Sequence, residues 1–269
     1  MLTIEFATRS ERGQRDDNED DLCSGRAGFG MYAVVSDGAG GHARGAEASR
    51  NVVTCLDAML GGLESGADFV PESLTRAVLA THTLLQREQQ GAQGRRRMHA
   101  TVVVLCLDHR GRRALWSNVG DSRLYRVRDG VAEVLTHDDS VVQQLVDGGL
   151  LTPDQARRHP MKNQLIAALG IEDAIDPHTS EAAAEVLPGD AYLLCTDGWW
   201  QCVEEDVLCA TLADADSPAA WLDAMQVHIE ALGDPKQDNF SAIAVWAAAR
   251  EEAAFDIDDE STLPRMRMG

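Results

Sequence analysis

The sequence predicts an α+β fold in which antiparallel sheets carry helices on their outer faces. Three observations lead there. Helical spacing appears as a pair of segments at 45–60 and 73–88, four short strand-like runs then crowd between 101 and 136, and helical spacing returns at 217–232. The steady strand–helix alternation of a doubly wound parallel sheet is missing from this order.

Each element has a local reason. Residues 3–8 (TIEFAT) alternate as a strand does, and 30–36 (GMYAVVS) form an apolar strand closed by Asp37-Gly38. In 45–60, Ala48, Val52, Cys55, Leu56 and Met59 fall on one side of a helix. In 73–88, Leu74, Val78 and Leu85 point inward, and Pro71 marks the start. Residues 91–97 (GAQGRRR) read as a polar loop. The runs 101–108, 113–120, 122–130 and 131–136 are divided by the turn signals HRG and RDG, which predicts one antiparallel meander. A helical or irregular stretch, 139–180, precedes a buried strand at 191–197, the helix 217–232 and a last strand at 239–249. One domain of residues 1–250 is expected, followed by an acidic, flexible tail at 251–269 that lacks periodicity.

The chain's 269 residues, 44% of them hydrophobic, suffice for a full core. Its 24 basic and 44 acidic residues give a formal charge of −20, which would repel a polyanion and argues against nucleic acid as a partner. No run reaches the length of a membrane span, and MLTIEFATRSER is not a basic-then-apolar leader, so a cytoplasmic location is expected. The six cysteines contain no C-x-x-C pair and read as reduced structural residues.

Four aspartates share one context. Asp37, Asp121 and Asp197 follow apolar strand-like runs, and Asp238 precedes one; AVVSDG and LLCTDG nearly echo each other. A buried strand ending in Asp-Gly leaves its carboxylate at the rim of a sheet while the glycine lets the backbone turn away. One such copy is explained as a turn; several rim carboxylates meeting would repel one another unless a divalent cation joined them. All-oxygen ligands point to Mg²⁺ or Mn²⁺. The acidic stretch 13–21 (GQRDDNEDD) adds further carboxylates and an arginine whose fork matches two phosphate oxygens. A competing reading takes Gly38, Gly40 and Ala43 as a dinucleotide-binding turn, with Asp57 at the ribose, but Asp57 lies inside a helical pattern and the required βαβ unit is missing.

In order, the segments Arg15-x-x-Asn18-Glu19-Asp20, Val35-Ser36-Asp37-Gly38-Ala39-Gly40-Gly41-His42, Ala100-Thr101, Asn118-Val119-Gly120-Asp121-Ser122-Arg123, Leu135-Thr136-His137-Asp138-Asp139-Ser140, Asn163 through Leu169-Gly170, Leu194-Cys195-Thr196-Asp197-Gly198 and Asp238-Asn239 resemble the metal-dependent protein phosphatases of the 2C type, in their bacterial branch. The resemblance spans about residues 3–247. It implies a four-layer α-β-β-α sandwich with two central antiparallel sheets. It implies a serine/threonine protein phosphatase using two Mn²⁺ or Mg²⁺ ions, with a third at a weaker site, to hydrolyse phosphoserine and phosphothreonine with an activated water.

By the same resemblance Asp37 would bridge two ions, Asp197 and Asp238 would complete the first site, and Glu19 with the Gly38 carbonyl the second. Asp121 would share a third ion with Asp197. Asp20 would hold water from behind the ligands, Asn239 would steady Asp238, and Arg15 would grip the substrate phosphate. The segment between Thr136 and Gly170 would form a flap that contributes to substrate choice. Partners would be phosphorylated proteins and an opposing Ser/Thr kinase, in signalling or type VI secretion control, with the enzyme a monomer. Eukaryotic members carry a histidine directly after Asp-Gly; Ala39 stands there in this chain, so no proton donor is assigned. His42 reads as a packing or hydrogen-bonding residue. A catalytically silent binding module is the alternative within the family.

Overall fold

The computed structural model describes residues 2–39, 44–63, 68–89, 97–108, 110 and 112–249. The expectations for His42 and for the tail lie outside them. The chain runs β1 (Leu2–Glu11), β2 (Asp20–Ala27), β3 (Gly30–Ala39), α1 (Arg44–Gly61), α2 (Pro71–Glu88), β4 (His99–Ala100), β5 (Val102–Asp108), β6 (Arg113–Val119), β7 (Arg123–Arg128) and β8 (Val131–Val134). It continues with α3 (Val141–Asp147), α4 (Pro153–Arg157), β9 (His178–Thr179), β10 (Ala184–Glu185), β11 (Ala191–Cys195), α5 (Asp197–Trp200), α6 (Glu205–Ala213), α7 (Pro218–Leu232) and β12 (Phe240–Ala249).

Two antiparallel sheets form the centre. One has the order β1-β12-β11-β7-β8 and the other β10-β6-β5-β3-β2, with β4 on β3 and β9 on β6. Period-two alternation explains the layers. Met31, Ala33, Val35, Val103 and Leu105 of one sheet meet Leu124, Leu194, Ile243 and Val245 of the other in an inter-sheet core. The opposite faces are covered too. Val34, Val102 and Val104 pack with Val52, Leu56 and Val78 of α1 and α2, while Leu193, Ala242 and Ala244 pack with Leu208, Trp221 and Met225 of α6 and α7. Strands buried on both faces need apolar residues at every position, so β5 and β11 read as unbroken apolar runs. The result is the expected α-β-β-α sandwich.

The helices start and stop where their side chains dictate. The Ser217 hydroxyl accepts from the Ala220 N–H, Pro218 opens α7, and Gly233 closes it in the left-handed conformation at φ 63°. α1 turns Val53 and Leu60 inward with Ala48, Val52 and Leu56, whereas Met59, expected on the buried side, is exposed.

Two expectations are corrected. The four runs between 101 and 136 are not one meander. β5 pairs with β6, and β7 with β8, but the pairs lie in different sheets, and the chain crosses between them at Gly120–Ser122. Gly120 makes that crossing at φ 95°, where a Cβ would also stand 2.7 Å from Thr101 Cγ2. No strand is predicted between residues 8 and 30, yet the acidic stretch 13–21 runs into one, β2, which pairs along β3 from Asp20. Its half-buried side chains break the apolar pattern that would have marked it. Among the described residues no helix is long and apolar enough to cross a membrane.

Leu194, fully buried between the sheets, tests this core. Leu194→Ala is expected to cost about 2–5 kcal/mol, read as a lower urea midpoint at unchanged slope.

Candidate metal centre

Antiparallel register fixes where the acids go. Cys195 of β11 lies opposite both Ala242 of β12 and Arg123 of β7, so the end of β11 and the starts of β12 and β7 share one edge of their sheet. In the other sheet Asp20 lies opposite Asp37, and Val102 opposite Val119, which gathers the start of β2, the end of β3 and the end of β6. Asp20, Asp37, Asp121, Asp197 and Asp238 therefore converge at one edge of the sandwich, with Glu19 beside them.

A framework of neutral hydrogen bonds holds them. The Asp37 N–H donates to Thr101 Oγ1 at 3.0 Å, and its carbonyl accepts from the Thr101 N–H at 2.8 Å. Thr101 Oγ1 lies 2.7 Å from Ser122 Oγ, beside Asp121. Thr196 Oγ1 donates to Asp20 Oδ2 at 2.9 Å and accepts from the Ser241 N–H. Gln201 Nε2 donates to Asp197 Oδ2 at 2.8 Å, and Trp200 Nε1 to the Asp121 carbonyl at 2.9 Å. The Gly38 N–H donates to the Glu19 carbonyl at 3.0 Å. A Cβ on Gly38 would run into the Gly45 carbonyl, and one on Gly45 would stand 2.5 Å from the Glu19 carboxyl carbon and 2.7 Å from the Gly38 carbonyl oxygen. Only glycines allow that approach, which sets the Glu19 carboxyl and the Gly38 carbonyl against the same residue.

Asn239 steadies Asp238 through its backbone, whose N–H donates to Asp238 Oδ1, while Arg15 holds Oδ2 at 2.5 Å. The Asn239 side chain does something further: it accepts from the Glu19 N–H and donates to the carbonyls of Arg12 and Asp17, so it clamps the loop that carries Arg15 and Glu19.

The electrostatics are those of carboxylates lacking a counter-ion. Burial first, then the charges of Asp20, Asp197, Asp121 and Asp238, push the Asp37 carboxyl well above its ordinary range. Burial and then Asp197 do the same to Asp121. Burial and Asp238 lift Asp197 to about 6, against the pull of Lys162 and Arg15. Burial lifts Asp20 to about 7 despite its hydroxyl partners, and Asp20 Oδ1 is buried with no hydrogen-bond partner. Glu19 is raised by burial, with Arg15 opposing.

This donor set fits hard divalent cations: it is all oxygen, mutually repelling, and contains an orphaned buried carboxylate oxygen. Among the described residues no three acids, histidines or cysteines are yet closed around one point. The carboxylates feel one another's charge, but Arg15 and Gln201 engage two of them. The cysteines belong to the packing; burial alone pushes the Cys106 thiol up to about 12.

Thr101, Ser122, Thr196, Ser241 and Gln201 had no assigned role in the sequence. The echo of AVVSDG and LLCTDG held a signal. The hydroxyl residue before each aspartate, Ser36 or Thr196, is fully buried and binds a neighbouring segment of the site, Thr101 or Asp20. Trp199 is core, and Trp200 borders the cleft.

A family model described as protein phosphatase 2C matches residues 9–243. The chain belongs to that family. It is 34% identical over 212 residues to a serine/threonine protein phosphatase, PstP, of Mycobacterium tuberculosis; the match covers 78% of this chain and 39% of the relative, so the chain spans about two fifths of that protein's length. Among solved structures it is similar to the catalytic domain of PstP in complex with two manganese ions, at TM-score 0.78 and 27% identity over 93% of this chain and 100% of that one. It is also similar to PppA, described as a key regulatory component of T6SS in Pseudomonas aeruginosa, at TM-score 0.75 and 30% identity over 91% and 97% of the two chains.

Raised carboxyls make folding bind protons. Between about pH 4, where unfolded carboxylates titrate, and about pH 7, the folded site holds protons that the unfolded chain has released, so its contribution to stability falls as pH rises. With EDTA present, Asp37→Asn is expected to have the higher urea midpoint at about pH 7.5, with the gap over the unsubstituted protein narrowing toward about pH 5. A gap independent of pH would contradict the repulsion.

Proposed function

We propose that this chain is a Mg²⁺- or Mn²⁺-dependent phosphatase that hydrolyses phosphoserine and phosphothreonine in proteins and opposes a Ser/Thr kinase. The observation that carries the reading is the convergence of buried carboxylates at one sheet edge with an arginine at its rim. Asp37, Asp197 and Asp238 would hold one ion, Asp37, Glu19 and the Gly38 carbonyl a second, and Asp121 with Asp197 a third. Such ions supply positive charge to phosphoryl oxygens and make hydroxide available near neutral pH.

The residues of the chain do the rest. Thr101 and Ser122 fix the backbone at Asp37 and at the Asp121 crossing, so only side chains would have to turn to receive a cation. Asp20, held by Thr196, has a free buried oxygen with which to orient water. Arg15, exposed at the rim, pairs with Asp238 in the structure. With that carboxylate holding a cation, the Arg15 guanidinium would be free to take two oxygens of a substrate phosphate. Transfer to water needs no covalent intermediate with the protein. Secretion control is the pathway to test first, since the T6SS component PppA resembles this chain over most of its length. The enzyme would act as a cytoplasmic monomer.

Hydrolysis of p-nitrophenyl phosphate and of a phosphothreonine peptide is expected with Mn²⁺ and not with EDTA. Asp37→Asn should lower kcat at least about a hundredfold, and Arg15→Met should raise KM for the peptide about tenfold. Metal-independent turnover, or full activity in Asp37→Asn, would refute the assignment.

A further inference from the structure

A cavity of about 510 Å³ opens between the 136–162 segment and residues 200–205. Four cationic side chains line it. Two are neutralised: Arg123 lies 2.7 Å from Asp138 and stacks over the Trp200 ring at 3.6 Å, and Arg157 pairs with Glu204 at 3.3 Å and Glu205 at 3.1 Å. The other two differ. Among the described residues, half-buried Lys162 gives its ammonium only to the neutral Gln201 amide oxygen, at 2.5 Å, and exposed Arg158 has no ion pair. Asp154 is the lining carboxylate without an ion pair among the described residues. The four cations are matched in number by four carboxylates, Asp138, Asp154, Glu204 and Glu205, but not in place: both glutamates gather on Arg157, which leaves Lys162 and Arg158 as cations without an ion pair among the described residues.

The cavity also shares residues with the carboxylate edge. Gln201, which accepts from Lys162, donates to Asp197, and Trp200 donates to the Asp121 carbonyl. A substrate chain whose phosphorylated residue sits at that edge advances about 3.3–3.6 Å per extended residue, so neighbours one to three positions away reach the cavity.

We propose that this cavity receives an acidic side chain of the substrate, within three residues of the phosphorylated one, with Lys162 and Arg158 as its partners. The inference rests on the phosphatase reading above. Net repulsion from the acidic surface is screened beyond about 8 Å at physiological ionic strength. Charge-assisted hydrogen bonds in a half-buried wall act at contact, so the two cations left without an ion pair, and not the net charge, decide which residue is accepted.

The test uses phosphothreonine peptides with a single glutamate at each position up to three residues on either side, against glutamine counterparts, turned over by the full chain with Mn²⁺. At one position the glutamate peptide should show kcat/KM about tenfold above its counterpart. Lys162→Met should remove that preference, Lys162→Arg should keep it, and Arg158→Gln should weaken it. The preference is a ratio, so any disturbance of Asp197 through Gln201 cancels. Equal values at every position, or a preference that survives Lys162→Met combined with Arg158→Gln, would overturn the proposal. Failure to turn over p-nitrophenyl phosphate would count against the phosphatase reading instead. Calorimetric binding of the same peptides would then decide this one, with equal affinity for glutamate and glutamine forms overturning it.

Discussion

Asp20 lies directly opposite Asp37 in the β2–β3 ladder, and Asp121, Asp197 and Asp238 add their charges to the same point. Like charges across adjacent strands weaken a sheet, and burial strengthens the repulsion by removing water. The rest of the frame at that edge is built from neutral groups. Ser36, Thr101, Ser122, Thr196 and Ser241 bind one another, backbone groups and a carboxylate, none carrying a charge. Asn239 ties the acidic N-terminal loop to the start of β12 through three bonds from one side chain. The acids are thus fixed by a rigid neutral frame, and their repulsion remains as free energy that a cation can relieve. Stability without the ion is given up for readiness to bind it, a common balance at functional sites.

Much of the fold was legible because its strands are buried on both faces. GMYAVVS, TVVVLCLD and AYLLCTD announce themselves as apolar runs, and α1, α2 and α7 by their spacing and caps. The acids were legible from their repeated position at strand ends. Two things were hidden for physical reasons. β2 carries half-buried, mixed side chains beside an acidic loop, so its pattern resembles a turn more than a strand. The division of β5–β8 between two sheets is invisible locally, because a hairpin turn and a sheet crossing use the same residue types. Gly120, Asp121 and Ser122 would suit either, and only the three-dimensional packing of Val119 and Leu124 into different cores separates them. The hydroxyls of the frame were equally silent, since a serine or threonine reveals its partner only when the strands are paired.

That crossing is also why the site is a property of the whole sandwich. Asp37 comes from one sheet, Asp197 and Asp238 from the other, and Asp121 from the link between them. The distance between the two halves of the site is set by how the side chains of Val35, Val103, Leu124 and Ile243 interdigitate. A close-packed interior of that kind resists sliding, so the core acts as a gauge for the carboxylates.

The ladder of β1 with β12 has a bearing on how such a protein can be wired to others. Leu2 is the register partner of Ala249, while Glu11 is the partner of Phe240. The first and last described strands therefore begin and finish together at the edge remote from the carboxylates. Leu2 and Ala249 lie on the far side of the molecule, together with the hairpins at Ala27–Gly30 and Arg128–Val131. One end of the sandwich is committed to chemistry, while the other is free to be tethered, lengthened or recognised without disturbing it.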